Sequence, residues 1–447
     1  MTEQIAGGAF HRGESEYESA RRATVWNAAT PERYPDLVVQ ASDAGDVEAA
    51  VRHARREGMR IGVRSGGHSW AGNHVRDGGL LLDVSALDDA EIDATAMAAT
   101  VGPGVRGHEL LEALASHDLF FPAGHCPGVA LGGYLLQGGF GWNGRVHGPA
   151  CMSVTAIDAV TAEGELVHAS EDENPDLLWA ARGAGPGFFA AVTRFHLQLQ
   201  PLPSAVANGV YLYPGELLEE VFTWAASIGP DVAREMELML VVHRDQQGEI
   251  EVAVTGPVLA STEEEKARAL AILGTCPVRD RAKLAVPDAP VALADLYAGV
   301  HASYPDGHRY DVDNMWTHAP VEQLLPGIRR IAETMPPAPS HMLWMNWGPA
   351  GGPERPEMAF SVEDETYIAL YAVWPDGAGA AVDAANSEWA TPRMREMEEH
   401  ASGIQLADEN LGRRPARFAG EAEMARLDEL REKWDPDGVF HPWMGRL

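Results

Sequence analysis

Cysteine is nearly absent from this chain. There are three, Cys126, Cys151 and Cys276, and no two stand in a C-x-x-C pair. So sparse and odd a set argues against a disulfide framework and against a cysteine-rich zinc site. Positive charge is also short. Lys and Arg number 34 against 66 Asp and Glu, a net charge of −32. A surface that acidic repels phosphate backbones and anionic lipid, so nucleic acid and membrane surfaces are poor partners. No apolar run approaches membrane-spanning length, and the opening MTEQIAGGAFHRGESEYESARRATVW lacks an apolar core of signal-peptide length. The expectation is a cytoplasmic protein.

What is present is length, glycine and alternation. The chain has 447 residues, of which 45% are hydrophobic and 22% charged, and this composition suits a soluble protein of two domains or so. SDAGDVEAAVRHARREG (42–58) opens with capping residues and then spaces Val47, Val51 and Ala54 as a helix does. MRIGVR, GLLLDVS and AMAATVGPG read as short strands, and RGHELLEALASHD as a helix. SVTAIDAVTAEGELVHA reads as a hairpin turning at Glu163-Gly164. Prolines and small residues interrupt the pattern at QPLPSAVANG (200–209), a natural boundary. Beyond it, amphipathic helices alternate with long strands such as HMLWMNWGP and TYIALYAVW, which predicts an antiparallel sheet with one helical face. EAEMARLDELREKW predicts a helix that ends before Pro436.

Two glycine loops carry the chemistry. VRSGGHSWAG (63–72) places Arg64, Ser65, Gly66 and Gly67 before His68 and Ser69. GHCPGVALGGYLLQGGFGWNG (124–144) contains Gly124, Cys126, Gly132, Gly133, Gly138, Gly139, Gly141, Trp142 and Asn143. Glycine lets backbone approach a ligand closely, and successive N–H groups in such loops form anion nests. Taken alone, two glycines more often make a tight turn with no ligand. The second loop matches G-x-G-x-x-G at 139–144, but no long helix opens there and Pro149 follows, so a nicotinamide dinucleotide fits poorly. Metal ligation by His68, His125 and Cys126 lacks a further ligand at metal-like spacing, so no metal is expected. A Cys–His hydrolase lacks a legible orienting group and oxyanion hole.

DLVVQASDAGDVEAAVRHARREGMRIGVRSGGHSWAG resembles the PCMH-type FAD-binding domain of the vanillyl-alcohol oxidase superfamily. GHCPGVALGGYLLQGGFGWNGRVHGPACMSV and RLDELREKWDPDGVFHPW resemble its berberine-bridge-enzyme-like branch. The resemblance implies an α+β fold with a discontinuous FAD-binding domain, residues 1–205 and 405–447. A substrate domain, 206–404, would be an antiparallel sheet covered by helices. It implies FAD joined covalently through His68 and Cys126, with the loop residues named above and Val154 around the cofactor. It further implies dehydrogenation of a small molecule (an alcohol, sugar, amine or polyketide-like compound) by hydride transfer to flavin N5, with molecular oxygen as acceptor.

Two positions depart from the resemblance. Many relatives carry Tyr-x-Asn, with the Tyr as base, where this chain has Ile404-Gln405-Leu406. Either an amine substrate loses its own proton and needs no strong base, or the base comes from elsewhere, with Tyr310, Asp313 and Tyr371 the candidates and Asn314 and Asn346 able only to position substrate. The segment RYDVDNMW that holds Tyr310 and Asp313 reads as a loop. Leu131 stands where oxygen-using relatives often have Val, which keeps a dehydrogenase with another acceptor as the competing reading. A flavin-bearing binding protein with little turnover is the reading outside enzymology.

Overall fold

The computed structural model describes residues 5–348 and 352–446. A four-stranded sheet has the order Gly8–His11, Leu37–Gln40, Leu80–Asp83, Ile61–Arg64, the last three parallel. The helix Ala44–Glu57 connects two of those strands. Its N-cap is Asp43, whose carboxylate accepts from Asp46 N, and it ends at Gly58 in the left-handed region. Val47, Val51 and Ala54, the residues spaced as a helix face, are all buried against Leu37, Leu80 and Leu82.

A five-stranded antiparallel sheet follows, Ala90–Asp93, Ala98–Val101, Ala191–Gln198, Val154–Val160, Leu166–Ser170. Its last two strands form the hairpin expected at Glu163-Gly164. The C-terminal tail returns here. The helix Glu421–Trp434 ends at Asp435, ahead of Pro436, and Phe440 then bridges Ile61 at the edge of the first sheet.

The third large sheet has seven antiparallel strands, in the order Leu284–Pro290, Ala205–Pro214, Ile250–Ala260, Met239–Arg244, His341–Asn346, Thr366–Pro375, His308–Thr317. Side chains alternate between its faces. Leu240, Val242, Val252, Val254, Trp344, Ile368 and Leu370 pack under the helices Leu218–Ile228, Glu263–Ala271 and Val321–Thr334. Met239, Val241, Leu343, Met345, Tyr367 and Tyr371 point the other way, toward the glycine loops. The α+β class with an antiparallel sheet under helices is as expected. RYDVDNMW is a correction: it lies within the edge strand His308–Thr317, paired along its length with Thr366–Pro375. Charged and polar residues break its apolar pattern, but each has a partner: Asp313 and Asn314 are buried, Arg309 and Asp311 half-buried. No helix among the described residues is long and apolar enough to cross a membrane.

Candidate active site

Between the glycine loops and the face of the seven-stranded sheet that those three helices leave open lies a cavity of about 530 Å³, lined also by Leu296 and Val300 of the helix Leu293–Ser303. Arg64, Ser65, Gly66, Gly67, His68 and Ser69 line it from the first loop, and Gly124, Cys126, Gly132, Gly133 and Trp142 from the second. The loops interlock. Ser65 Oγ accepts from Gly133 N at 3.1 Å, and a Cβ on Gly66 would stand 2.8 Å from the Ala130 Cβ. Gly67 has φ +69°, and a Cβ there would meet the Thr24 carbonyl oxygen at 2.1 Å, so only glycine fits. The Arg64 guanidinium is turned into the protein. It donates to Asp83 at 2.7 Å and to the Thr24 carbonyl at 3.1 Å, so it braces the loop.

His68 and Cys126 open into the same cavity. The His68 ring stacks on Trp26 with centroids 4.2 Å apart, and burial lowers its pKa to about 4, so the imidazole is neutral. Burial pushes the Cys126 thiol up to about 12, with the charge of Asp408 adding to it. Trp142 Nε1 in the cavity wall is buried and has no hydrogen-bond partner within the protein. Gly138, Gly139, Gly141, Asn143 and Val154 do not line the cavity. They build its support: Gly138 packs on Phe360, Gly139 on Ala150 and Gly141 on the Ala123 carbonyl. The G-x-G-x-x-G stretch opens only one helical turn, Gly144–His147. Leu131 is fully buried in the core, and it is Ala130 and Gly132 that face the cavity.

The three candidate bases are placed apart. Tyr371 lines the cavity and donates to Asp408 Oδ2 at 2.7 Å. Tyr310 is outside the lining, with its hydroxyl given to the Pro305 carbonyl at 2.6 Å. Asp313 points to the opposite side of its strand and is locked to Arg414, with Oδ1 accepting from Nη2 at 2.6 Å. Asn314 donates to the Gln405 and Asp408 carbonyls, which ties the C-terminal segment to the sheet. Asn346 lies on the helix side and donates to Gly229 O at 3.0 Å. Tyr310, Asp313, Asn314 and Asn346 therefore do not reach the cavity.

The sequence reading missed Asp408. It sits two residues past Leu406, and its carboxylate accepts from Trp70 Nε1 at 2.6 Å, from Tyr371 and from Tyr367. The signal was faint: one acid in LADENLG, with no spacing to mark it. Behind it, His341 Nδ1 donates to Pro339 O at 2.9 Å, which leaves Nε2 to accept from the Tyr304 hydroxyl at 3.1 Å. The His341 ring lies nearly parallel to Tyr371, centroids 4.8 Å apart. Burial, together with the Asp408 charge, raises the Tyr367 and Tyr371 phenols well above their ordinary value, so both are protonated.

A cavity walled by glycine loops on one side and by aromatic side chains on the other suits a large, flat cofactor. Residues 35–170 match the FAD binding domain family. The FAD-linked oxidoreductase ptmO of Penicillium ochrochloron is 32% identical over 94% of this chain and 92% of its own length. The structure of 6-hydroxy-D-nicotine oxidase from Arthrobacter nicotinovorans superposes with a TM-score of 0.83, covering 98% of this chain and 97% of that one at 23% identity. BBE-like 1 of Physcomitrella patens gives 0.82 at 22% identity, covering 98% and 96%. The chain belongs to the FAD-linked oxidoreductases, and its fold is the one that 6-hydroxy-D-nicotine oxidase and the BBE-like enzyme share.

Proposed function

We propose that this chain holds FAD covalently through His68 and Cys126 and dehydrogenates a small, largely apolar molecule, with oxygen as final acceptor. The residues present fit the cofactor: loops that a Cβ would fill, and His68 and Cys126 opening into one cavity. Bound FAD supplies the two-electron acceptor that takes hydride at N5. The chain's own residues supply orientation and the proton path.

The observation that carries this reading is the Tyr371–Asp408 hydrogen bond of 2.7 Å inside the cavity that His68 and Cys126 share. A raised phenol is a weak acid and cannot wait as phenolate. It can accept a substrate proton at its oxygen while its own proton passes to Asp408 Oδ2, so charge never resides on the ring. His341 and Tyr304 hold the Tyr371 ring in place. The sheet contributes Met239, Val241, Leu343 and Met345 to the wall, a surface that favours an apolar substrate over a sugar.

Three further points belong to this reading. Residues 1–205 and 405–447 form the cofactor-binding unit and 206–404 the substrate unit, supported by the Ile61–Phe440 bridge and the start of the seven-stranded sheet at Ala205. Leu131 would influence oxygen access only through the packing of Ala130 and Gly132, because its side chain lies behind the wall. The chain works in the cytoplasm.

The test is an anaerobic screen of alcohols, sugars, amines and polyketides for bleaching of the flavin absorbance. Bleaching by an apolar member, restored by oxygen, supports the proposal. Bleaching by sugars alone, or by none of the four classes, opposes it.

A further inference from the structure

Away from the cavity, the five-stranded sheet gathers three metal-ligating side chains on one face. Asp158 is on the strand Val154–Val160, and His168 is directly opposite it on Leu166–Ser170. His196 comes from the other neighbour, Ala191–Gln198. His168 Nδ1 stands 2.7 Å from Asp158 Oδ1, and His196 Nε2 stands 3.3 Å from Asp158 Oδ2. One donor atom from each residue lies within 4.8 Å of the other two. We propose that Asp158, His168 and His196 form a surface site for a divalent transition-metal ion of the zinc type, which clips these three strands together.

Four observations carry it. First, the donor set is two imidazoles and one carboxylate, which suits zinc with one position left for water. Zinc–ligand bonds of about 2.0–2.2 Å put tetrahedral donors roughly 3.3 Å apart. The spacing here approaches that with side-chain adjustment alone. Second, the frame is rigid: adjacent strands in register fix the three Cα positions before any ion arrives. Third, Asp158 has a competing cation and does not use it. Arg194 is its register partner on the third strand, yet among the described ion pairs both Asp158 oxygens go to imidazoles. Fourth, the far nitrogen of His196 is already held. Its Nδ1 lies 3.2 Å from Thr100 Oγ1, and an outer hydrogen bond of this kind fixes a metal-bound imidazole. The rings cross at 74° with centroids 5.4 Å apart, so neither blocks the other's approach to a shared ion. The site is reachable from solvent, with the His168 side chain 42% exposed. The acidic field of the whole chain draws cations toward it.

None of the three residues lines the cavity. Their substitution is therefore expected to leave flavin loading and turnover unchanged.

The test is calorimetric titration of the flavin-loaded protein with zinc chloride, for wild type, His168→Ala and Asp158→Asn. Flavin absorbance confirms that each variant is folded and loaded. Wild type is expected to bind one equivalent and to gain in Tm with zinc. Each variant is expected to bind at least about 10-fold more weakly, the lower end of what loss of an outer hydrogen bond alone costs, and to lose the Tm gain. Equal binding by wild type and both variants would overturn the site, as would the absence of a stoichiometric event in wild type. In either outcome the carboxylate serves only as a hydrogen-bond acceptor for two histidines.

Discussion

Glu237 Oε2 accepts a hydrogen bond of 2.8 Å from His125 Nε2, the residue before Cys126. Its other oxygen, Oε1, accepts from Asn143 N at 2.7 Å. One carboxylate, 1% exposed, thus comes from beside the seven-stranded sheet and grips the Cys126 loop at both of its ends. Arg145 strengthens the same junction, with donations to the carbonyls of Trp347, Ala233, Met236 and Val232. Cys126 is aimed by contacts that its own loop does not contain.

Glu237→Gln is expected to reduce the fraction of protein that retains flavin through Cys126. The amide presents a donor to one of the two donors it must accept from, at a cost of about 1–3 kcal/mol for the buried mismatch. The measurement is flavin fluorescence of the denatured His68→Ala protein with and without Glu237→Gln. Equal retention in the two would show that Glu237 has no part in aiming the thiol.

FAD is expected to stay with the wild-type polypeptide after acid precipitation. His68→Ala and Cys126→Ala should each keep one tether, and only the double variant should release the flavin. A colourless pellet with a yellow supernatant from wild type would refute covalent attachment.

Tyr371→Phe and Asp408→Asn are each expected to slow anaerobic flavin bleaching by about 10²–10⁴-fold, the usual contribution of a positioned proton acceptor. Substrate binding should change little. Tyr310→Phe, whose hydroxyl is committed to Pro305, should leave the rate near wild type. Stopped-flow reduction separates the three. Loss of rate in Tyr310→Phe equal to that in Tyr371→Phe would break the assignment.

Acid should destabilise the fold before the carboxylates of its surface protonate. Burial lowers His74 to about 3 and His147, His341 and His441 to about 4, all from 6.5. Between pH 6.5 and about 4 the unfolded chain then holds more protons than the folded one. The contribution is complete above 6.5 and is lost as pH falls through that window. Glu409 and Asp311, raised by burial to about 7, act with the opposite sign over much of the same range. With His68, also lowered to about 4, five histidines stand against three raised carboxyls, Asp435 being the third, and predict a net fall in Tm from pH 6.5 to 4. A flat or rising Tm would mean that the carboxyls dominate.

Much was legible before any tertiary structure. Local rules decide a capped helix such as Ala44–Glu57, a hairpin at Gly164, and loops where only glycine fits, because the interactions that fix them lie within a few residues. His68 and Cys126 could be singled out because each stands inside such a loop. The side chain proposed to complete the proton path could not. Asp408 meets Tyr367, Tyr371 and Trp70 only when the tail folds back across strands far away in sequence, and no spacing records that meeting. Asp313 shows the converse. Its acid in an apparent loop looked available for chemistry, but a strand turned it away from the cavity and Arg414, distant in the chain, neutralised it. The sequence by itself determined the glycine loops and placed His68 and Cys126 within them. Which acid lines the cavity and which only braces the fold was decided by strand pleat and long-range pairing, since burial and charge neutralisation exist only once distant segments touch.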